Sequence, residues 1–250
     1  MSLATEYRRQ RAWRDWESAF SALPPLEGRM VLDLGCGVGD QSAELSVRGA
    51  RVIGLDGNEE LLAVARARGM ANAEFRRADL REPLDLGSDF IADGIWCSFV
   101  AAYFPDLSEA LVEWTRVLRP GGWIALVEID EMFGHEPVGR RTRELLDAYV
   151  EESVAAGRYD FRMGHKLGGH LGQAGFSILE ERDLRDRELA FSGPALPEVI
   201  EAWRARFERM GLLQQACGAE FGAVRDDFLS ALSRPDHRAP ARVCFVLAVR

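Results

Sequence analysis

The sequence predicts a doubly wound α/β fold, and three observations lead to it. Short apolar runs alternate with stretches patterned as amphipathic helices along the first half of the chain. The first run ends in three alternate glycines, Gly35, Gly37 and Gly39, which let a strand turn sharply into a helix. Farther on, Pro120, Gly121 and Gly122 mark a turn ahead of a long apolar run.

Val31, Leu32 and Leu34 make the first run, of the kind a strand buried on both faces needs. Asp33 interrupts it with an ionisable group whose burial is costly unless it is paired. A helix starts near Asp40. The second run, Arg51–Leu55, ends at Asp56, 23 residues after Asp33. Asn58 caps the next helix, with Glu59 and Glu60 in its first turn, Arg66 and Arg68 in its last, and Gly69 ending it. A third run, Ala73–Arg77, leads to Asp79 and Leu80, and a fourth covers Gly94–Val100. Asp106 with Glu109 forms a capping-box arrangement ahead of an apolar stripe through Leu107, Leu111 and Trp114. The fifth strand lies within 118–128.

The glycine pattern G-x-G-x-G differs from the dinucleotide fingerprint G-x-G-x-x-G. Asp33 just before the turn repels a phosphate but attracts an amino group. Each acid also has an ordinary use. Asp56 can cap a helix, although Asn58 is the better cap, and Asp79 can form a turn.

This stretch resembles motif I of the class I S-adenosylmethionine-dependent methyltransferases, and the "L-R-P-G-G" turn at residues 118–122 is a frequent mark of the same family. The resemblance is strong over residues 28–130 and extends to 175–183 and 242–250, which read as the last two strands. It implies a seven-stranded, mostly parallel, Rossmann-like sheet. S-adenosyl-L-methionine is the implied methyl donor and S-adenosyl-L-homocysteine the product. Asp33, Gly35, Cys36 and Gly37 are then expected at the methionine end, Asp56 and Gly57 at the ribose, and Asp79 and Leu80 at the adenine. Ser98 follows on the fourth strand, and Tyr7 or Trp13 would cover the methionine moiety. The Asp/Asn-Pro-Pro-Tyr/Phe stretch of enzymes that methylate nucleobase or glutamine amino groups is replaced here by Cys97, Ser98, Phe99 and Val100. The chain resembles instead the group acting on quinones, sugars and other metabolites, which implies in-line methyl transfer to an O or N atom of a small molecule. A non-catalytic cofactor-binding module, a protein- or RNA-directed enzyme and a nucleotide-dependent oxidoreductase are the rival readings.

The expected organisation is an N-terminal cofactor-covering helix within 1–27, spanning Thr5–Phe20. A cofactor-binding core follows, made of 28–133, 175–183 and 241–250. A helical cap of 134–174 and 184–240 covers the carboxyl ends of the strands, where open α/β sheets bind ligands. His135, just after the fifth strand, and His165 are the candidate catalytic bases, and Tyr103, Tyr159 and Arg162 the candidate substrate residues. His165 and His170 are five positions apart and do not share a helix face, and the cysteines have no metal-site spacing, so no metal is expected.

A net charge of −9, from 31 basic and 40 acidic side chains, argues against a nucleic-acid substrate. Arginine clusters at Arg8, Arg9, Arg11 and at Arg140, Arg141, Arg143 read as solvated faces or as anion clamps. Four scattered cysteines suit a reducing compartment. The start is too polar for a signal peptide and no run is long enough to span a membrane, so a cytoplasmic protein is expected. The residues do not indicate an oligomeric state.

Overall fold

The computed structural model describes residues 11–104 and 106–250. Seven strands form one sheet: β1 (Met30–Leu34), β2 (Arg51–Asp56), β3 (Ala73–Arg77), β4 (Ala92–Ser98), β5 (Leu118–Asp130), β6 (Ser177–Leu184) and β7 (Arg242–Val249). Their order is β3-β2-β1-β4-β5-β7-β6. β1 to β5 are parallel, with Val31 opposite both Val52 and Gly94, while β7 runs antiparallel between β5 and β6. The order reverses between β1 and β4, so the carboxyl ends of these two strands border the crevice where such sheets take ligands.

Nine helices are described: α1 (Trp16–Ser21), α2 (Asp40–Val47), α3 (Glu59–Arg66), α4 (Leu107–Arg116), α5 (Arg140–Ala155), α6 (Leu167–Gln173), α7 (Pro197–Arg209), α8 (Gly211–Cys217) and α9 (Phe221–Leu232). Among the described residues, no helix is long and apolar enough to cross a membrane. Alternation along β5 sends Val127 and Ile129 to one side of the sheet and Ile124 and Leu126 to the other. The first side packs on Trp16, Phe20 and Leu45, with Phe20 stacked on Trp96 at 4.5 Å. The second packs on Leu107, Trp114, Leu167 and Leu171.

Helices α5, α7, α8 and α9 pack on one another around Phe133, Trp203, Phe207 and Phe228. Pro197 sits in the first turn of α7, where its missing N–H costs nothing. These helices follow β5 and β6 in sequence and rise over the end of the sheet.

Three expectations need correction. Residues 164–173 were expected in the cap, but they lie against the sheet in the layer of α4 and β6. Glycine makes that approach possible. A Cβ at Gly164 would stand 2.7 Å from the Cβ of Asp130, and one at Gly168 would stand 2.9 Å from the Glu181 carboxylate. The N-terminal helix was expected to run unbroken over Thr5–Phe20; residues 5–10 lie outside the described residues, and among the described ones the helix is interrupted at 12–15, with α1 beginning at Trp16 after its cap Asp15. Before it, Arg14 pairs in extended form with Asp186, and Asp15 N–H donates to Arg185 O at 2.9 Å. The Pro-Gly-Gly turn does not precede β5 but bulges from it. Ala92 faces Leu118 and Gly94 faces Trp123, leaving 119–122 looped out.

Candidate active site

A cleft of about 940 Å³ opens along the carboxyl ends of β1, β2, β3 and β4 and continues beneath the cap. One half is built by loops after the strands. Gly35 and Gly37 hold left-handed backbone (φ 71° and 52°), which brings bare main chain to the cleft. A side chain on Gly35 would overlap Val100, itself a lining residue.

Asp56 ends β2 at the edge of this loop. Its Oδ2 accepts from Gly37 N–H and its Oδ1 from Asn58 N–H, both at 2.8 Å. Two backbone donors thus fix the carboxylate, and each oxygen keeps a free lone pair for a hydroxyl. Asn58 performs the capping job, accepting from Glu60 N–H and Leu61 N–H at 2.9 and 3.3 Å. Gly57, Asp79, Leu80, Cys36 and Ser98 also line the cleft.

Asp33 does not line it. The side chain is 1% exposed, and its Oδ2 accepts from Ser42 Oγ at 2.5 Å. Burial raises its pKa to about 7, against the Ser42 hydrogen bonds that oppose the rise. Asp33 therefore braces the first turn of α2, and its carboxylate is not among the groups that line the cleft. Its place on β1 aims the side chain under the helix, which the motif spacing could not reveal.

Arg14 lines the cleft beside Phe99 and Trp16. Its guanidinium carbon lies 4.2 Å from the Phe99 ring centre and 5.0 Å from that of Trp16, and Nε donates to Asp186 at 2.5 Å. Phe99 is held at φ 58°, a left-handed conformation that costs roughly 1–2 kcal/mol outside glycine. Such strain clusters at ligand sites. Trp13 packs on the main apolar cluster instead of lining the cleft, because the backbone turns at Arg14. Tyr7 lies outside the described residues.

The cap half is apolar and aromatic. Met132, Tyr149, Tyr159, Phe161, Leu189 and Met210 line it, with Tyr103 and Phe104 where it meets the cofactor half. Tyr103 and Tyr159 meet edge to face at 4.8 Å. Arg206 and Arg209, one turn apart on α7, also reach this half. Arg162 does not, because it turns to Glu131 at 3.0 Å. Sequence reading passed over Arg14, Arg206, Arg209, Tyr149 and Phe161 as site residues. The one available signal for Arg206 and Arg209 was their place on the polar side of an amphipathic helix.

Neither candidate base faces the cleft. His165 Nδ1 lies 2.7 Å from Asp130 Oδ1, and Asp130 Oδ2 accepts from Arg242 at 2.6 Å, in a cluster beside the short turn that leads into α6. His135 is fully buried in the cap. His237 Nδ1 stands 3.0 Å from the Gly193 carbonyl, so it carries the proton, and its Nε2 must accept from His135 Nδ1 at 3.0 Å. That leaves His135 Nε2 buried without a partner. Burial drives the His135 pKa down to about 3, helped by the charges of His237, Arg206 and Arg143.

A pH dependence follows. The unfolded chain binds this proton below about pH 6.5 and the folded chain does not, so stability falls as pH drops from 6.5 toward 3, by ~1.4 kcal/mol per pH unit. Asp33 and Glu128, both raised to about 7 mainly by burial, act in the opposite sense, losing stability as pH rises through their folded values. In His135→Phe those two groups are unchanged, so on going from pH 7.5 to pH 5 the melting temperature is expected to shift more favourably, by a smaller fall or a larger rise, than in the parent protein. An equal or less favourable shift, followed by circular dichroism, would remove His135 as the acid-sensitive group.

The arrangement fits a nucleoside carrying an amino acid. Asp56 is a pre-set acceptor for paired hydroxyls, Asp79 an acceptor for an exocyclic amine, and Arg14 a donor for a carboxylate, all around one glycine loop.

The chain is similar to several known proteins. Residues 32–126 match a family described as a methyltransferase domain. The demethylmenaquinone methyltransferase of Clavibacter sepedonicus is 32% identical over 180 residues, which cover 65% of this chain and 71% of that one. The ubiquinone biosynthesis O-methyltransferase of Hahella chejuensis is 31% identical over 126 residues, 44% of this chain and 52% of that one. The crystal structure of an S-adenosylmethionine-dependent methyltransferase from Mesorhizobium loti superposes with a TM-score of 0.56 at 23% identity, covering 94% of this chain and 97% of that one, which shows the shared fold.

Proposed function

The chain belongs to the class I S-adenosylmethionine-dependent methyltransferases, and from that premise we propose that it methylates a small, largely apolar metabolite held beneath the cap. One observation carries the reading. The cleft, about 940 Å³, is near the upper end of the roughly 300–1,000 Å³ typical of ligand sites, and its cap half is walled by aromatic side chains. That half has room for a second molecule beside the cofactor.

S-adenosylmethionine, when bound, supplies an electrophilic methyl group on a positively charged sulfur. The chain's own part is alignment and exclusion of water. We assign Asp56 to both ribose hydroxyls, Asp79 and the backbone at Leu80 to the adenine, and the Gly35–Gly37 main chain with Ser98 to the amino-acid end. Arg14 takes the carboxylate there. Tyr103 and Tyr159 stand where the two halves meet and orient the acceptor for in-line attack. Tyr149, Phe161 and Met132 keep water from the acceptor.

No histidine lines the cleft among the described residues. Tyrosine hydroxyls are poor bases near neutrality. The acceptor therefore suits a phenol, enol or acid that gives up its proton readily, more than an aliphatic alcohol. The relatives named for demethylmenaquinone and ubiquinone biosynthesis are in keeping with such acceptors. The walled cleft and the −9 charge both favour a small molecule over nucleic acid.

The test is incubation with methyl-labelled cofactor and a panel of phenols, quinols and carboxylic acids. Label is expected in a small molecule. Label confined to added RNA or protein would overturn the reading.

A further inference from the structure

The cap half of the cleft has an uneven charge. Arg206 and Arg209 line it, and among the described residues every acid lining the cleft (Asp40, Asp56 and Asp79) lies on the cofactor side, at the ends of β2 and β3 and the start of α2. An apolar chamber with cationic groups at one end is complementary to an amphiphilic anion.

Arg206 is built to receive one. Its side chain is 15% exposed and held from two sides. Nη2 donates to Glu188 Oε1 at 2.5 Å, and the guanidinium carbon lies 4.8 Å from the Trp203 ring centre. Trp203 is fixed in turn, its Nε1–H donating to Glu188 O at 2.9 Å. Glu188 sits on a turn organised by Asp186, whose Oδ1 accepts from Glu188 N–H and Leu189 N–H at 2.7 Å each. The guanidinium plane is thereby set before any ligand arrives, with one N–H of Nη2 spent on Glu188 and with Nε and Nη1 carrying no hydrogen-bonded protein partner among the described residues. Nη2 belongs to both donor edges of the guanidinium, so its second N–H and that of the neighbour on the same edge leave one fork that recognises a carboxylate by two parallel hydrogen bonds.

Resting on the proposed small-molecule reading, we propose that the methyl acceptor is an aromatic or similarly flat apolar acid, with its carboxylate on the open edge of Arg206 and its apolar body between Tyr149, Tyr159 and Phe161. The carboxylate is an anchoring group here, and the reacting atom lies elsewhere on the ligand, toward Tyr103. Arg206 then sets specificity by charge and does not touch the cofactor.

The probes are 1-naphthoate, 2-naphthoate and benzoate, each compared with its neutral primary amide, titrated into the protein saturated with S-adenosylhomocysteine at pH 7.5. At least one carboxylate is expected to bind about tenfold or more tightly than its amide, with the preference weakening as salt is raised. The double variant Arg206→Met/Glu188→Gln removes the fork without leaving a buried carboxylate unpaired, and it should abolish the preference while retaining affinity for S-adenosylhomocysteine. Equal binding of acid and amide, or no binding of any acid, by the unaltered protein overturns the proposal whether or not the variant folds. A preference that survives in a folded double variant also overturns it. Binding of S-adenosylhomocysteine in the same samples separates the two levels: its absence refutes the methyltransferase site, and its presence with no acid preference refutes only the acceptor assignment.

Discussion

Asp56→Ala is expected to weaken S-adenosylhomocysteine binding by at least tenfold, and as much as a hundredfold, with the fold retained. The carboxylate is held by Gly37 N–H and Asn58 N–H at 2.8 Å, so it enters binding already oriented. Hydrogen bonds to a charged group are worth about 1.5–3 kcal/mol, and about 1.4 kcal/mol is a factor of ten in affinity. The half-buried position makes the loss to folding small, because the two freed amides lie close to solvent. Asn58 still caps α3 in the variant. Asp56→Asn should fall between, since one carbonyl oxygen can take over one of the two amides. Isothermal titration calorimetry measures the affinities, and unchanged affinity in a folded Asp56→Ala protein would take Asp56 out of the site.

Gly94→Ala is expected to have the largest effect on stability. Gly94 faces Trp123 across the parallel β4–β5 pair, and the indole ring lies directly over the glycine. A Cβ there would overlap the ring at Cε2, Cζ2 and Nε1. Trp123 is 4% exposed and packed within the main core, so it has nowhere to turn. Overpacking of this kind costs about 3 kcal/mol. For a chain of this size that lowers the melting temperature by roughly 6–12 °C. A melting temperature within a degree of the parent's would show that Trp123 has space to repack.

The contrast between these two residues shows what was legible in the sequence. Asp56 stands at a strand end with a glycine loop 20 residues before it and a better cap two residues after it, all local signals. Asp79, Leu80, Ser98, Gly35 and Gly37 share that property, and they all line the cleft. The succession of strands and helices along the first half of the chain was legible from the same local punctuation, whereas the number of strands in the sheet came only from the family resemblance. Gly94 carried no such signal, since the reason for it is a tryptophan 29 residues away on the next strand.

Side-chain direction is what the motif left open. Asp33 sits in the expected motif position, yet its carboxylate points beneath α2 to Ser42. His135 and His165 were placed by proximity to the end of β5, but a loop that leaves a strand can turn to either side of the sheet. His135 turns into the cap interior, and His165 turns to the far side with α6. The cap itself was visible as apolar helical patterning between the last strands. Which of its polar residues face inward depends on how four helices pack, and no spacing rule separates Arg206 from the arginines around it.

The assignment of the cleft is tested most directly by a crystal structure with S-adenosylhomocysteine bound. The expected result has both ribose hydroxyls on the Asp56 carboxylate, the adenine beside Asp79, and the amino-acid end between the glycine loop and Arg14, with the space beneath Tyr149 and Phe161 left for the acceptor. A ligand bound elsewhere, or one whose sugar is turned away from Asp56, would contradict it.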